Sequence, residues 1–479
     1  MDYSPDRRTA LVLSGTGVHG AYHAGVLRAC REAGIRIDVV AGHGIGAGSA
    51  ALAAIDGGSM LWDDKGLWRG VGADRFYRWH PALVVAGWFT VALAAVVASP
   101  LLFLIIGLVI YPVGFGLSML GLAAGAWLVS AYGGLLATLF SGDNLPTIIP
   151  RAAMFAGAGI ALALLVGALL AQRRAPVRRE GRVRWWWELA GAPLAAGAVR
   201  RRFADVLWQL IRGADDPKVP DPDLVGRRYG EVLSESLGQP GVHELLVVAT
   251  DLDARQDVVG ALLREPYRAA FFASYPGRER QGDAIDLAAG GADRLLDLIG
   301  AGLTPGVGAD PHLVRFAPDS FWKGEAHRLC DRPGALLRLL TELKAAGVEQ
   351  VVLVSAVPPS QGPHRLAPAD VSIAGRLGDV VVAGEAASFA DAEPVARRLF
   401  STVHAVRPAH NPLGPFDMRG VWDPGSHRWA VPNELLTAGY EDARRQFIDP
   451  VVGASGEHLA TSTGETYAEG VRDTSDSWG

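Results

Sequence analysis

Cysteine is scarce in this chain of 479 residues, which contains only Cys30 and Cys330, far apart in sequence. Two isolated cysteines exclude a disulfide framework and a C-x-x-C metal pair, and they favour a reducing compartment. The net charge of −5 is small for this length. Because surfaces that bind nucleic acid are strongly basic, we expect no nucleic-acid partner.

Charged side chains are missing altogether between His80 and Asp143, and again over residues 152–172. A bilayer crossing needs roughly 20 apolar residues, so both stretches are long enough. Core helices of soluble proteins rarely run this far without a charge. The sequence therefore predicts an inserted α-helical transmembrane module over residues 81–172.

Arginines flank this insertion on both sides, three of them between residues 69 and 78 and six between residues 173 and 184. By the positive-inside rule, both flanks are cytoplasmic. The apolar run near the N-terminus is too short for a signal peptide. We expect a multi-pass protein of a bacterial-type inner membrane, with its remaining domain in the cytoplasm.

The number of crossings is left open by these patterns. Two cytoplasmic flanks require an even number, whereas hydropathy, interrupted at Tyr111-Pro112 and over residues 141–151, indicates three segments. Either the long run forms three short crossings, giving four in all, or one segment is re-entrant. We favour four. The glycines of the insertion favour close helix packing and a possible homo-oligomer; they include Gly114, Gly116, Gly121, Gly125 and Gly157.

Strand-like and helix-like segments alternate on both sides of the insertion. "TALVLSG" (residues 9–15) and "IDVVAG" (residues 37–42) are apolar runs that end in glycine, and a helical pattern joins them. The sequence thus predicts one α/β domain with a mainly parallel sheet, formed by residues 1–80 and 173–455. The polar tail, residues 456–479, is expected to be disordered.

A glycine-rich loop follows the first strand. Its candidate ligand-binding residues are Gly15, Thr16, Gly17, His19 and Gly20. Backbone amides of such a loop can point at a developing oxyanion or at an anionic head group. The loop and the turn after the next strand are expected at the same edge of the sheet, where open α/β sheets bind ligands.

The second strand is followed by "GHGIGAG", which has the shape of a nucleophile elbow. Gly42 and Gly46 keep the frame of the G-x-S-x-G pattern, and His43 lies between them. Gly44 stands where the pattern has its serine. No G-x-S-x-G occurs elsewhere in the chain.

Residues 9–60 resemble the patatin-like phospholipase family, with weaker similarity at "LLVVATDLDA" and "LIGAGLTPGVGADP". The resemblance implies a three-layer α/β fold, an oxyanion loop of the form G-G-G-x-R-G, an elbow serine that attacks a lipid ester, and an aspartate base in a D-G-G or D-G-A motif. It does not extend to residues 81–172 or to most of residues 360–479.

Several of the family's catalytic positions are changed in this chain. Thr16 replaces a loop glycine, His19 the loop arginine and Gly44 the serine. The best alignment places Lys323-Gly324 at the D-G-G motif, with Asp319, Glu325 and Asp331 nearby but out of register. We therefore expect no catalytic residue, no cofactor and no metal.

Two functions remain open on this evidence. The favoured one is a membrane-embedded pseudoenzyme or scaffold that binds membrane lipids or another acyl ligand. The alternative is an acyl hydrolase that uses a non-standard nucleophile or a group from a partner. A metal held by His19, His23 and His43 would serve that alternative, but ordinary polar roles are favoured for the three histidines. A transporter accessory ranks last, because the spans carry no charge.

Overall fold

The structure is a computed structural model that describes residues 3–70, 72–140, 148–174, 192–212, 220, 222–273, 280, 282–288, 291–318, 320–359 and 373–452. The chain divides into two compact units. The α/β unit comprises Met1–Arg78 and Leu194–Gly479, and the helical unit comprises Trp79–Pro193. The predicted tail, residues 456–479, lies outside the described residues.

The elements up to the end of the helical unit are, in chain order, β1 (Thr9–Gly15), α1 (Gly20–Glu32), β2 (Val39–Gly44), α2 (Ile45–Ala53), β3 (Arg78–Trp79), α3 (Pro81–Met119), α4 (Ala123–Phe140) and α5 (Ile148–Arg174). The elements that follow are β4 (Leu194–Ala195), α6 (Gly197–Ile211), α7 (Pro222–Ser236), β5 (Glu244–Asp251), β6 (Gln256–Leu262), α8 (Tyr267–Phe272), β7 (Ala284–Asp286), α9 (Leu295–Gly302), β8 (His312–Arg315), β9 (Ala326–Cys330), α10 (Ala335–Ala345), β10 (Gln350–Ser355), α11 (Ile373–Leu399), β11 (Thr402–Val406), β12 (Val421–Asp423), β13 (Arg428–Ala430) and α12 (Pro432–Ala443).

Within the described residues, the α/β unit is built on a nine-stranded sheet with the central order β11-β10-β1-β2-β5-β6-β7. Neighbours from β11 to β5 are parallel, whereas β6 runs antiparallel to β5. Side chains alternate between a buried apolar cluster on each face, with Leu11, Leu13 and Val40 on one and Val12, Val39 and Ala41 on the other. The predicted α/β fold with a mainly parallel sheet is confirmed.

The glycine-rich loop and the elbow lie side by side because β1 and β2 are parallel neighbours. Gly15 pairs with Gly44 in their register, and Ser14 pairs with His43. Both turns therefore leave the sheet at its carboxyl edge, as the sequence predicts. A third segment reaches this edge from β9, whose end pairs antiparallel with the end of β5.

The helical unit differs from the four-crossing arrangement favoured above. Residues 81–140 form α3, of 39 residues, and α4, of 18, whereas that arrangement needs three helices there. Pro100 and Pro112 lie inside α3 instead of ending it. Long apolar helices can continue through a proline when neighbouring groups form hydrogen bonds with the backbone atoms that the proline leaves unpaired. Gly121, with φ of 74°, lies in the turn between α3 and α4.

By length and composition alone, α3 and α4 are each apolar enough to cross a membrane. The apolar part of α5, Arg151–Gly167, is shorter. Along α3 most large side chains are exposed, as at Trp88 (72%) and Leu108 (76%). At 1.5 Å per residue α3 is about 58 Å long, which exceeds the ~30 Å of a bilayer's hydrocarbon core.

Close helix packing is present at one pair of the predicted glycines. A Cβ atom placed on Gly125 would lie 2.3 Å from the carbonyl oxygen of Gly114. Among the described residues, nothing lies within 4 Å of a Cβ added at Gly116, Gly121 or Gly157. The Gly114–Gly125 contact brings α3 and α4 together, and association between copies through the open glycines stays a prediction.

Candidate functional site

The elbow keeps the backbone shape of a nucleophile turn. Gly44 ends β2 with φ of 62° and ψ of −139°, a conformation that residues with side chains rarely adopt. Gly42 and Gly46 allow tight packing around it, since a Cβ on Gly46 would lie 2.0 Å from the carbonyl oxygen of Leu13. The local fold thus follows directly from the glycine spacing in the sequence.

The elbow has no room for a nucleophile. A Cβ atom at Gly44 would lie 2.1 Å from the carbonyl oxygen of Gly15 and 2.8 Å from Oδ2 of Asp331. The first of these is a backbone atom of the neighbouring strand, which cannot rotate away as a side chain can. At Gly44 the backbone at the end of β1 therefore packs directly against the elbow.

The glycine-rich loop is also closed from the other side, by a segment we call the cap segment (residues 411–418). The amide of Val18 donates a hydrogen bond of 2.9 Å to the carbonyl oxygen of Pro415. A Cβ atom at Gly17, whose φ is 60°, would lie 1.9 Å from that same oxygen. An oxyanion needs free amides at such a loop, and the amide of Val18 is already paired within the chain.

Asp331 is the acidic residue that reaches the elbow, whereas Lys323 and Gly324, which the sequence alignment places at the D-G-G motif, do not. Lys323 and Gly324 lie in the exposed turn between β8 and β9, where Lys323 has φ of 47°. Asp331 follows β9 and lies at the carboxyl edge, because Cys330 pairs with Thr250 of β5. Asp319 is outside the described residues.

A buried hydrogen-bond chain connects Asp331 to the two strands. Its Oδ1 lies 3.2 Å from Nδ1 of His43, and its Oδ2 accepts a bond of 3.2 Å from the hydroxyl of Thr16. Nε2 of His43 lies 2.9 Å from Oγ of Ser14. Because a carboxylate only accepts, Nδ1 of a neutral His43 carries the proton and Nε2 accepts from Ser14. All four side chains are buried.

The other two histidines, His19 and His23, which were considered with His43 as an alternative metal group, have separate partners. Nδ1 of His19 lies 2.9 Å from Oε2 of Glu385 on α11, and both side chains are buried. Nε2 of His23 donates to the carbonyl oxygen of Ser14 at 3.1 Å. Across the described residues, no group of three or more His, Cys, Asp or Glu side chains is arranged to hold a metal ion.

Burial lowers the pKa of His23 to about 3. The unfolded chain binds a proton at His23 near pH 6.5 and the folded chain does not, so stability falls as the pH decreases from the unfolded pKa towards the folded pKa.

We expect wild type to lose about 2 kcal/mol more unfolding free energy than His23→Gln between pH 7.5 and pH 5. Denaturant unfolding at both pH values measures this. The exposed His427→Gln variant should behave like wild type; equal losses in wild type and His23→Gln would contradict the prediction.

A cavity of about 500 Å³ opens beside the elbow. Thr16 and Asp331 form its polar wall, and Leu252, Val307 and Val381 contribute apolar surface. Arg332 also lines it, but its guanidinium donates to Asp257 at 2.6 Å. A mostly apolar cavity with a few polar groups at one end suits an amphiphilic ligand.

Among the predicted site residues, the structure brings Gly15, Thr16, Gly17, His43 and Gly44 together at one edge. Two further residues of this site, Ser14 and Glu385, escaped sequence reasoning, and Asp331 was noted there only as lying out of register with the motif. "CDRP" lacks the glycines of a D-G-G motif, so only the antiparallel pairing of β9 with β5 could have pointed to Asp331.

The model of the patatin-like phospholipase family matches residues 11–179 of the chain. Solved structures similar to it include VipD from Legionella pneumophila, at 11% identity and TM-score 0.26, covering 92% of this chain and 67% of VipD. The type III effector protein ExoU has 16% identity and TM-score 0.27, covering 92% of this chain and 53% of ExoU. No curated protein matches the chain.

Proposed function

Because the chain belongs to the patatin-like phospholipase family, we propose that it is a pseudoenzyme that binds a lipid or another acyl ligand without hydrolysing it. One observation carries this proposal. The volume that an elbow serine needs is filled by the carbonyl oxygen of Gly15, 2.1 Å from a Cβ at position 44. Without that serine the family's covalent intermediate cannot form at the elbow.

The cavity beside Asp331 is the proposed binding place. Its apolar wall suits an acyl chain, and its polar end carries Asp331 and the exposed Asp391. Its cation, Arg332, is paired with Asp257. Like charges in close contact cost several kcal/mol, so an anionic head group is disfavoured. We propose a ligand with a neutral or cationic head, such as a neutral acyl ester.

The proposed setting is a membrane. α3 and α4 are apolar and exposed, and they are long enough to cross a bilayer. Arginines flank the helical unit in sequence, which favours a cytoplasmic α/β unit by the positive-inside rule. A bacterial-type inner membrane, and association between copies, belong to the same proposal. A lipid ligand would then be available to the α/β unit.

Ligand binding is tested by filling the cavity. The purified full chain is incubated with total membrane lipids, washed, extracted and examined by mass spectrometry. Val381→Trp places a large ring at a buried wall position. We expect it to lower the retained amount of one lipid species by about tenfold, a ~1.4 kcal/mol loss of binding free energy.

Leu337→Trp, at an exposed position on α10, is the control and should retain the species. Equal retention in both variants would reject the cavity as the binding place.

An acyl hydrolase is the second candidate, and one observation favours it. Ser14, His43 and Asp331 are linked in the order of a serine-enzyme triad, at 2.9 and 3.2 Å. Neither Ser14 nor His43 lines the cavity, and Ser14 is only 4% exposed, which ranks this candidate second. Cys330 lines the cavity, but burial raises its thiol pKa to about 12, so it stays protonated. Labelling of Ser14 by a fluorophosphonate probe, lost in Ser14→Ala, would establish the hydrolase.

A further inference from the structure

The hairpin of β12 and β13 presents two tryptophans side by side at the surface. Trp422 and Trp429 are direct cross-strand partners, exposed by 53% and 54%. All residues of the turn between the strands, 424–427, are exposed as well. Large exposed aromatic pairs are uncommon on a protein surface without a binding role.

Hydrogen bonds within the chain stabilise the hairpin. The carboxylate of Asp423 accepts bonds from the hydroxyl of Ser426 at 2.6 Å and the amide of Gly425 at 2.9 Å. These bonds lower the pKa of Asp423 to about 2, so it remains ionised. The indole N–H of Trp429 donates to the carbonyl oxygen of Arg419 at 3.2 Å. The turn and the Trp429 ring are therefore held by hydrogen bonds within the chain.

Two arginines lie close to the pair in sequence. Arg419 and Arg428 are exposed at the same hairpin, whereas Asp423 is buried. Arg428 lies 3.5 Å from Glu434, a contact between exposed side chains that salt readily screens. Tryptophan with adjacent arginine is the composition that favours the head-group region of an anionic bilayer.

We propose that the β12–β13 hairpin is a contact site for an anionic membrane surface, with Trp422 and Trp429 inserted among the lipid head groups. The same chain carries α3 and α4, which are long and apolar enough to cross a membrane, so a bilayer is the surface such a hairpin would meet. This contact is separate from the cavity, and it does not require that the cavity hold a ligand.

Hydrogen exchange of the full chain in nanodiscs tests the proposal. Exchange at residues 419–431 is measured in discs of neutral phosphatidylcholine and in discs that also contain phosphatidylglycerol. We expect several-fold slower exchange in the anionic discs. The exposed turn at residues 320–325, which carries Phe321, is the internal control and should exchange equally in both.

Two variants separate membrane contact from a folding defect. Trp422→Ser/Trp429→Ser should abolish the difference between discs. Arg419→Gln/Arg428→Gln keeps both rings and should reduce the difference several-fold. Equal exchange of the wild-type hairpin in the two discs would overturn the proposal. So would protection that depends on protein concentration instead of lipid charge, because it would mean a contact between protein chains.

Discussion

Replacement of Gly44 by serine is expected to cost about 3 kcal/mol or more of unfolding free energy and to produce no esterase. Two physical effects add together. A side chain at φ of 62° is strained, and its Cβ would lie 2.1 Å from the carbonyl oxygen of Gly15. Relief of that contact requires β1 or β2 to move. We therefore expect that introducing the family's serine at position 44 does not produce a working nucleophile.

Gly34→Ser is the matched control for this variant. Gly34 has a similar φ of 66°, but nothing in the described part of the chain lies within 4 Å of an added Cβ. Its substitution should cost about 1 kcal/mol, the strain contribution alone. Thermal unfolding of the full chain in detergent, with ester hydrolysis measured in parallel, compares the two. If Gly44→Ser were no less stable than Gly34→Ser, the claim that the elbow has no space for a side chain at position 44 would be wrong.

Replacement of Asp331 by alanine is expected to cost about 3 kcal/mol, because it leaves two buried donors unpaired. These are Nδ1–H of His43 and the hydroxyl of Thr16. Asp331→Asn keeps a side-chain oxygen for His43 and should cost about 1 kcal/mol. Asp391→Ala, at an exposed position on the cavity wall, should change stability by less than ~0.5 kcal/mol.

Denaturant unfolding at neutral pH measures these three losses. A small loss in Asp331→Ala, equal to that of Asp391→Ala, would mean that the bonds to His43 and Thr16 contribute nothing to the fold. The hydrolase candidate would then lose its supporting observation, because its proposed triad needs the bond between Asp331 and His43.

The sequence predicted those parts of the site that depend on neighbouring residues. The spacing of Gly42, Gly44 and Gly46 predicts a tight turn between a strand and a helix, and β2 and α2 are joined by such a turn. The short apolar runs of β1 and β2, each ending in glycine, likewise predicted two buried parallel strands. Local sterics and the continuous apolar runs were sufficient here.

Parts of the site that depend on distant pairing could not be predicted. Asp331 reaches Gly44 only through the pairing of β9 with β5, and Pro415 reaches Val18 across almost 400 residues of sequence. The proline at position 112 misled the helix count, because a helix interrupted in hydropathy can still be continuous in its backbone. Such contacts are set by the whole fold.

The most direct test of the central claim is a lipid mass balance. The full chain in bilayers that contain isotopically labelled diacyl lipids is compared with bilayers without protein, and labelled fatty acid and lysolipid are quantified. We predict no release above the protein-free level, from wild type or from Ser14→Ala. Release by wild type that disappears in Ser14→Ala would contradict the pseudoenzyme account and identify Ser14 as the nucleophile.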